Sequence, residues 1–315
     1  GDRNRGHVPT TQGMEEVLDL AHRQGYVTTA QAANLGVGRM SLHRLVGAGV
    51  FLHTAQGVYV PRDDSTREGR HAAVTRAILD ADPWSVASHH SALVLHGINL
   101  YGVPFDQVQV ADPRCSSRSH RSLHRHVLRD GDPVVTIGEH RAIGLPLALC
   151  QTASRWGMVA GLVSMDHALR LGEVAKDDLQ SVIDSGRLRR GIRAARRAAA
   201  LADGRAESPG ESRLRAIVHG GSFDYDLQAN VGGPGSGYVA DLLIDGRVVL
   251  EFDGELKYDG PEGRKAIVAE KRREDWIRSR GYGFMRVMWP ELDYPATVQR
   301  VLHGHVLATR AARAA

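Results

Sequence analysis

Apolar residues recur at helical spacing over the first fifty positions. Val17, Leu18, Leu20 and Ala21 stripe a segment that begins near Met14 and stops at Gly25, which predicts an amphipathic helix ended by glycine. Thr28-Thr29-Ala30-Gln31 opens a second, short helix with a cap residue followed three positions later by glutamine, and this helix closes near Gly36. A third helix follows from about Gly38 to Val46, with Leu42 and Leu45 facing inward. After Gly47 and Gly49 the pattern turns extended: Phe51-Leu52-His53 and Gly57-Val58-Tyr59-Val60 are short β segments around a polar turn. Three small helices and a β-hairpin make a winged helix-turn-helix. In that arrangement the third helix would lie in the major groove of double-stranded DNA, presenting Arg39, Ser41, His43 and Arg44, while the wing touches backbone. A small helical interaction module with solvated basic residues would carry the same pattern.

The middle of the chain is less regular. Asp63 to Gly69 is polar and reads as a linker, Ala72 to Leu79 is helical, Ser88 to Gly97 is a second helix ending at glycine, and Val108 to Ala111 is a strand. The spacing of His89, His90 and His96 is not that of a two-ligand helical pair, so packing or capping outweighs metal binding there. Pro113 to Arg129 carries Arg114, Arg118, Arg121, Arg125 and Arg129 with several histidines and almost no acid, which suits a phosphate backbone or a solvated edge equally. Ile143 to Trp156 and Met158 to Leu171 supply apolar helices. Arg187 to Arg197 holds six arginines on more than one helix face, either solvated or in contact with phosphate, and leads to a linker, Ala202 to Pro209.

Ser208-Pro209 starts the next helix, with Leu214, Ile217 and Val218 as its buried stripe. Tyr225 to Val231 is a strand, and the glycine-rich turn after it is no P-loop, because no Gly-Lys-Ser/Thr follows. Two β-type runs, Tyr238 to Ile244 and Val248 to Phe252, flank Asp245-Gly246-Arg247, a strong hairpin signal. Strand alternation puts Val239, Asp241 and Leu243 on one face and Val249, Glu251 and Asp253 on one face of the partner. A three-residue turn sets Asp241 opposite Glu251 with Cβ atoms about 5 Å apart, where like charges repel. Such a pair calls for a cation, and a hard divalent ion, Mg²⁺ or Mn²⁺, suits it; a solvated face is the alternative. Glu262 to Arg280 is a long charged helix and Tyr282 to Trp289 a final strand, expected beside the acid-bearing one. Ile267, Glu270, Lys271, Glu274 and Ile277 share neighbouring turns, which would point Glu270 and Lys271 at the carboxylates.

Composition narrows the class. The 315 residues are 42% hydrophobic but only 5% aromatic, so the cores must be mostly Ala, Val and Leu. The formal charge of +4 is compatible with a nucleic-acid partner without requiring one. Cys115 and Cys150 are the only cysteines, which excludes a disulfide framework or a four-cysteine zinc site. No apolar run approaches membrane-spanning length and the first residues are polar, so a cytoplasmic protein with no membrane association is expected.

Two resemblances sharpen these expectations. From Met14-Glu-Glu-Val-Leu through Gly57-Val-Tyr-Val, the order of elements resembles the N-terminal domain of the AbiEi family of antitoxins, which implies DNA binding at an operator. The region that follows resembles AbiEi-like proteins of actinobacterial type, with a family Thr-Arg-Thr segment altered here to Leu149-Cys150-Gln151-Thr152. Further on, Glu211-Ser212-x-x-Arg215, Asp241, Glu251-Phe252-Asp253-Gly254, Glu270 to Asp275 and Gly281-x-x-x-x-Arg286 look like the domain related to very short patch repair endonucleases, in the PD-(D/E)XK superfamily. That resemblance implies Mg²⁺ held by Asp241, Glu251 and the Phe252 carbonyl, with Glu211 as an accessory carboxylate. The usual lysine two residues after the glutamate is Asp253 here, so Lys257 or Lys271 would have to supply the charge.

The expected fold is α/β (α+β overall), with a winged helix-turn-helix at 1–62, a mixed α/β middle domain at 70–200 and an αβββαβ restriction-endonuclease-like domain at 207–303. The expected function is a metal-dependent DNA endonuclease addressed by the winged helix. The alternative is an antitoxin-like transcriptional regulator whose idle nuclease-like domain serves homodimer formation or capture of a cognate toxin.

Overall fold

The computed structural model describes residues 11–63, 66–114, 118–120, 122–232, 238–254 and 260–314. Lys257, Cys115 and most of the glycine-rich turn after Val231 lie outside the described residues. The chain is mixed α/β and divides into two compact units, Gly1–Gly161 with Asp177–Arg196, and Leu162–Lys176 with Arg197–Ala315.

The first unit opens with α1 (Thr11–Gln24), β1 (Val27–Thr28), α2 (Thr29–Asn34), α3 (Arg39–Gly47), β2 (Phe51–Ala55) and β3 (Val58–Pro61). A capping box starts α2: Gln31 N–H donates to Thr28 Oγ1 at 3.1 Å, and Thr28 N–H donates to the Gln31 side chain at 2.8 Å. The strands form a three-stranded sheet in the order β1-β3-β2. Its apolar face and the helical stripes close over Val17, Ala21, Val27, Ala32, Val37, Leu42, Phe51 and Tyr59. This is the element order expected of a winged helix-turn-helix.

The same unit continues through α4 (Arg67–Ala81), β4 (Val86–Ala87), α5 (His89–Leu95), β5 (Val108–Asp112), β6 (Arg118–His120), β7 (Leu123–Val127), β8 (Val134–Ile137), β9 (His140–Ile143) and α6 (Leu145–Trp156). The strands form one mixed sheet in the order β6-β7-β5-β4-β9-β8. His90 and His96 hydrogen-bond the carbonyls of Pro104 and Ile143, so these rings serve packing and capping. Of the basic run before residue 130, Arg114 and Arg125 are neutralised: Arg114 meets Asp82 and Asp112 at 2.9 and 2.8 Å, and Arg125 meets the same carboxylates at 3.0 and 3.2 Å. Cys150 is buried, and desolvation pushes its thiol up to about 12, which leaves it unreactive. The division between units falls within α7 (Met158–Arg170) and α9 (Ile192–Leu201), on either side of α8 (Lys176–Asp184).

The second unit is built on α10 (Pro209–Gly220), β10 (Tyr225–Asn230), β11 (Val239–Ile244), β12 (Val248–Asp253), α11 (Gly260–Ser279), β13 (Gly283–Met288) and a long α12 (Pro295–Ala314) that the sequence pattern did not mark. The sheet order is β10-β11-β12-β13, antiparallel except for the last pair, which is parallel. Period-two alternation splits its side chains between two covers. Leu242, Ile244, Val248 and Leu250 pack with Leu214 and Val218 of α10 and Val298 and Leu302 of α12. Val249, Phe284 and the half-buried Leu243 pack with Ile277 of α11. Helix α10 sits so close to β12 that a Cβ on Gly210 would fall 2.1 Å from Phe252 Cε1. Inside this unit Arg215 pairs with Asp166 at 2.5 Å, the two side chains 2% and 1% exposed. Arg215, part of the endonuclease-like pattern, is therefore occupied by an internal ion pair.

Candidate functional site

The outer side of α3 is basic and open. Arg39, His43 and Arg44 are exposed, and Met40 is 73% exposed between them. Arg39 with His43 and Met40 with Arg44 are i,i+4 pairs, so the four side chains form two adjacent rows on one surface. Neither Arg39 nor Arg44 has a carboxylate partner among the described residues. Ser41 corrects the sequence expectation. It is 4% exposed, because it shares the inward stripe with Leu42, and its hydroxyl is met by Arg44 Nη2 at 3.5 Å. The expected groove-facing serine is a core residue, and Met40 takes its place on the surface. Rings tie the helix to the wing: His53 stacks on Tyr59 at 4.8 Å, and His43 meets the pair edge-on at 6.1 and 6.4 Å.

The carboxylates gather on the side of the second unit's sheet that α11 covers. The ladder pairs Leu242 with Leu250, Leu243 with Val249 and Ile244 with Val248, and Asp241 and Glu251 are the next residues beyond its last pair. The three-residue turn that sets this register holds Asp245 and Gly246 at φ 50° and 63°. Asp241 Oδ2 accepts the Phe252 N–H at 2.8 Å. Glu251 accepts from Arg273 of α11, which also donates to the Val239 carbonyl at 2.7 Å. Arg286 of β13 pairs with Glu270 at 2.6 Å and stands 3.6 Å from Asp253. Glu211 lies one strand away on the first turn of α10. It caps that turn by accepting from Glu207 N–H and Ser208 Oγ, both at 2.9 Å, and from Gln228 Nε2 at 3.1 Å. Gln228 reaches it from within β10, at φ 51°, the position where the otherwise in-register ladder with β11 is interrupted.

This face is not solvated, since Glu251 is only 8% exposed. Burial pushes the carboxyls of Glu211, Asp241 and Glu251 above their ordinary range, and neighbouring acids add to it: Asp241 acts on Glu211, Glu251 on Asp241, and Glu270 with Asp253 on Glu251. Arg273 and Arg286 oppose that rise at Glu251. Lys271, expected to point at the cluster, is exposed; Arg273 occupies that role. The available signal was its position three residues after Glu270 and four before Ile277, on the same helical face. Among the described residues no three His, Cys, Asp or Glu side chains converge as a metal site requires. One oxygen of each carboxylate expected to ligate Mg²⁺ is already engaged, Asp241 Oδ2 by the Phe252 N–H and Glu251 Oε1 by the Arg273 guanidinium.

Among the described residues no helix is long and apolar enough to cross a membrane. Comparison with curated proteins returns no significant match. Residues 15–62, the segment that carries α3 and the wing, match the family model described as transcriptional regulator, AbiEi antitoxin.

Proposed function

We propose that the chain is an antitoxin-like transcriptional regulator that binds double-stranded DNA through α3 and the β2–β3 wing. One observation carries this reading: the exposed Arg39 and Arg44, neither with a carboxylate partner among the described residues, lie with His43 on the segment similar to the antitoxin regulators. A helix of this kind reads base edges from the major groove, where arginines favour guanine and a methionine offers apolar contact to thymine methyls. The second unit then serves capture of a cognate toxin or a homodimer contact, its acidic cluster balanced by Arg273 and Arg286. This reading puts the protein in the cytoplasm with its operator. A gel shift on DNA upstream of its own gene tests it: specific retardation, lost in Arg39→Ala/Arg44→Ala and kept in Asp241→Ala, is the expected result. Retardation that survives the arginine changes would rule out α3 as the reading element.

A second reading is a metal-dependent endonuclease. It is favoured by the raised proton affinity of Glu211, Asp241 and Glu251, with Asp241 acting on Glu211 and Glu251 on Asp241, in an order of elements resembling the PD-(D/E)XK nucleases. It requires Arg273 to leave Glu251. Supercoiled plasmid incubated with the protein and Mg²⁺ or Mn²⁺ decides it: nicking that disappears in Asp241→Ala supports it, and no metal-dependent nicking removes it.

A further inference from the structure

Away from the winged helix, the first unit holds a cleft of about 640 Å³ between β7, α6 and the segment before α9. Three stretches far apart in sequence supply its charge. Arg129 follows β7, Arg155 ends α6, and Arg187, Arg189 and Arg190 precede α9. The single acid in the lining, Asp132, is already engaged, by Arg187 at 2.8 Å and by the Arg129 N–H at 3.0 Å. Arg155, Arg189 and Arg190 have no carboxylate partner among the described residues. Unbalanced guanidinium groups converging in a concavity focus a positive potential that favours anions.

The walls are fixed by close contacts. Gly191, at φ 69°, lies against α6 so tightly that a Cβ would fall 1.8 Å from the Ser154 carbonyl oxygen. Arg129 Nη1 donates to the Arg187 carbonyl at 2.6 Å, which ties the arginine segment to the end of β7. These two contacts hold Arg189 and Arg190 beside Gln151, Ser154 and Arg155. The floor is a column of imidazoles: His89 stacks on His126 at 4.0 Å, and His126 lies 4.3 Å from the half-buried His124. His89 is held at φ 51°, a conformation that a non-glycine residue adopts at a cost, and it puts that ring on the column. Burial keeps His89 and His126 uncharged at neutral pH, so the column offers an uncharged aromatic wall while the arginines carry the charge.

A cleft of this volume lies in the range of small-molecule sites, about 300–1,000 Å³. Duplex DNA would call for an extended stripe of basic residues, and Arg114 and Arg125 of the preceding basic run are neutralised by Asp112 and Asp82 and do not line the cleft. We propose that this cleft binds a small phosphorylated molecule of nucleotide size, with its phosphates among Arg155, Arg189 and Arg190 and its ring system against the imidazole column. Guanidinium groups suit phosphate through paired hydrogen bonds.

Calorimetric titration of the full chain with ATP, pyrophosphate and adenosine tests this. The expected result is saturable ATP binding that exceeds pyrophosphate, with adenosine weakest. Affinity for ATP should fall roughly ten-fold or more in Arg189→Ala/Arg190→Ala and in Arg155→Ala. The altered residues are exposed, and an unchanged melting temperature verifies that the variants fold. Operator binding should be unaffected by them. Absence of ATP binding, or equal binding by the variants, overturns the proposal. Pyrophosphate binding equal to ATP overturns the ring contact. Displacement of ATP by random duplex DNA would make the cleft part of a nucleic-acid track instead and would likewise overturn it.

Discussion

Arg273 of α11 donates to the Glu251 carboxylate of β12, and it is the nearest counter-charge to the acidic pair that the hairpin creates. Glu251 is largely enclosed while Arg273 keeps about a third of its side chain in solvent, so the arginine can be removed without opening a cavity. Removing it leaves an under-compensated carboxylate facing Asp241. Arg273→Ala should therefore destabilise the protein by about 1–3 kcal/mol in urea unfolding. Most of that loss should return in the double variant Glu251→Gln/Arg273→Ala, since the stranded charge is gone. Wild-type stability in the single variant would show that the contact does not balance the cluster.

The two units should respond to acid in opposite directions. Glu211, Asp241 and Glu251 have folded pKa values raised above their unfolded ones. The folded state then binds more protons than the unfolded state, and stability falls as pH rises from the ordinary carboxylate value, about 4, through the raised values. Asp112 in the first unit behaves the other way. The Arg114 guanidinium beside it lowers its carboxyl to about 2, so its contribution is present above the unfolded value and is lost as pH falls toward 2. Hydrogen exchange followed segment by segment between pH 3 and 7 should show β11 and β12 best protected on the acidic side. Asp241→Asn should flatten that dependence, and an unchanged profile in this variant would contradict the assignment.

The approach of α10 to β12 leaves no room at Gly210. Gly210→Ala should push the Phe252 ring from its edge-on contact with Trp289, now at 4.9 Å between centroids, and cost about 1–3 kcal/mol. Tryptophan fluorescence and denaturant unfolding would report both effects together. A variant with native fluorescence and stability would show that the ring has other space.

Ser41 and Arg39 separate the sequence expectation from the folded surface. Ser41→Ala should change DNA affinity by less than about two-fold, whereas Arg39→Ala should cost about 1–3 kcal/mol of binding. Anisotropy titrations on one labelled duplex compare them directly. A larger loss for the serine would return it to the interface.

The contrast shows which features a sequence can carry. The capping box at Thr28 and Gln31 and the three-residue turn between Ile244 and Val248 were legible because each is set within a few residues. The phase of α3 was harder. Both Ser41 and Arg39 suit a groove-facing helix by composition, and only packing around Leu42 shows which one turns inward. Arg273 was missed in favour of Lys271 for the same reason, because the rotation of α11 is decided by Ile277 seating against Val249 and Phe284. Pairs such as Asp166 with Arg215 leave no local trace at all. The meeting of Arg129 with the Arg187 segment is equally invisible along the chain.

The central claim is that α3 reads DNA and that the acidic cluster takes no part in it. Anisotropy of a labelled duplex from upstream of the gene, against a scrambled duplex at fixed salt, tests it most directly. Tight binding of the upstream duplex by the wild type and by Asp241→Ala is expected, with loss of that preference in Arg39→Ala/Arg44→Ala. Preference retained by the arginine variant, or abolished by Asp241→Ala alone, would contradict it.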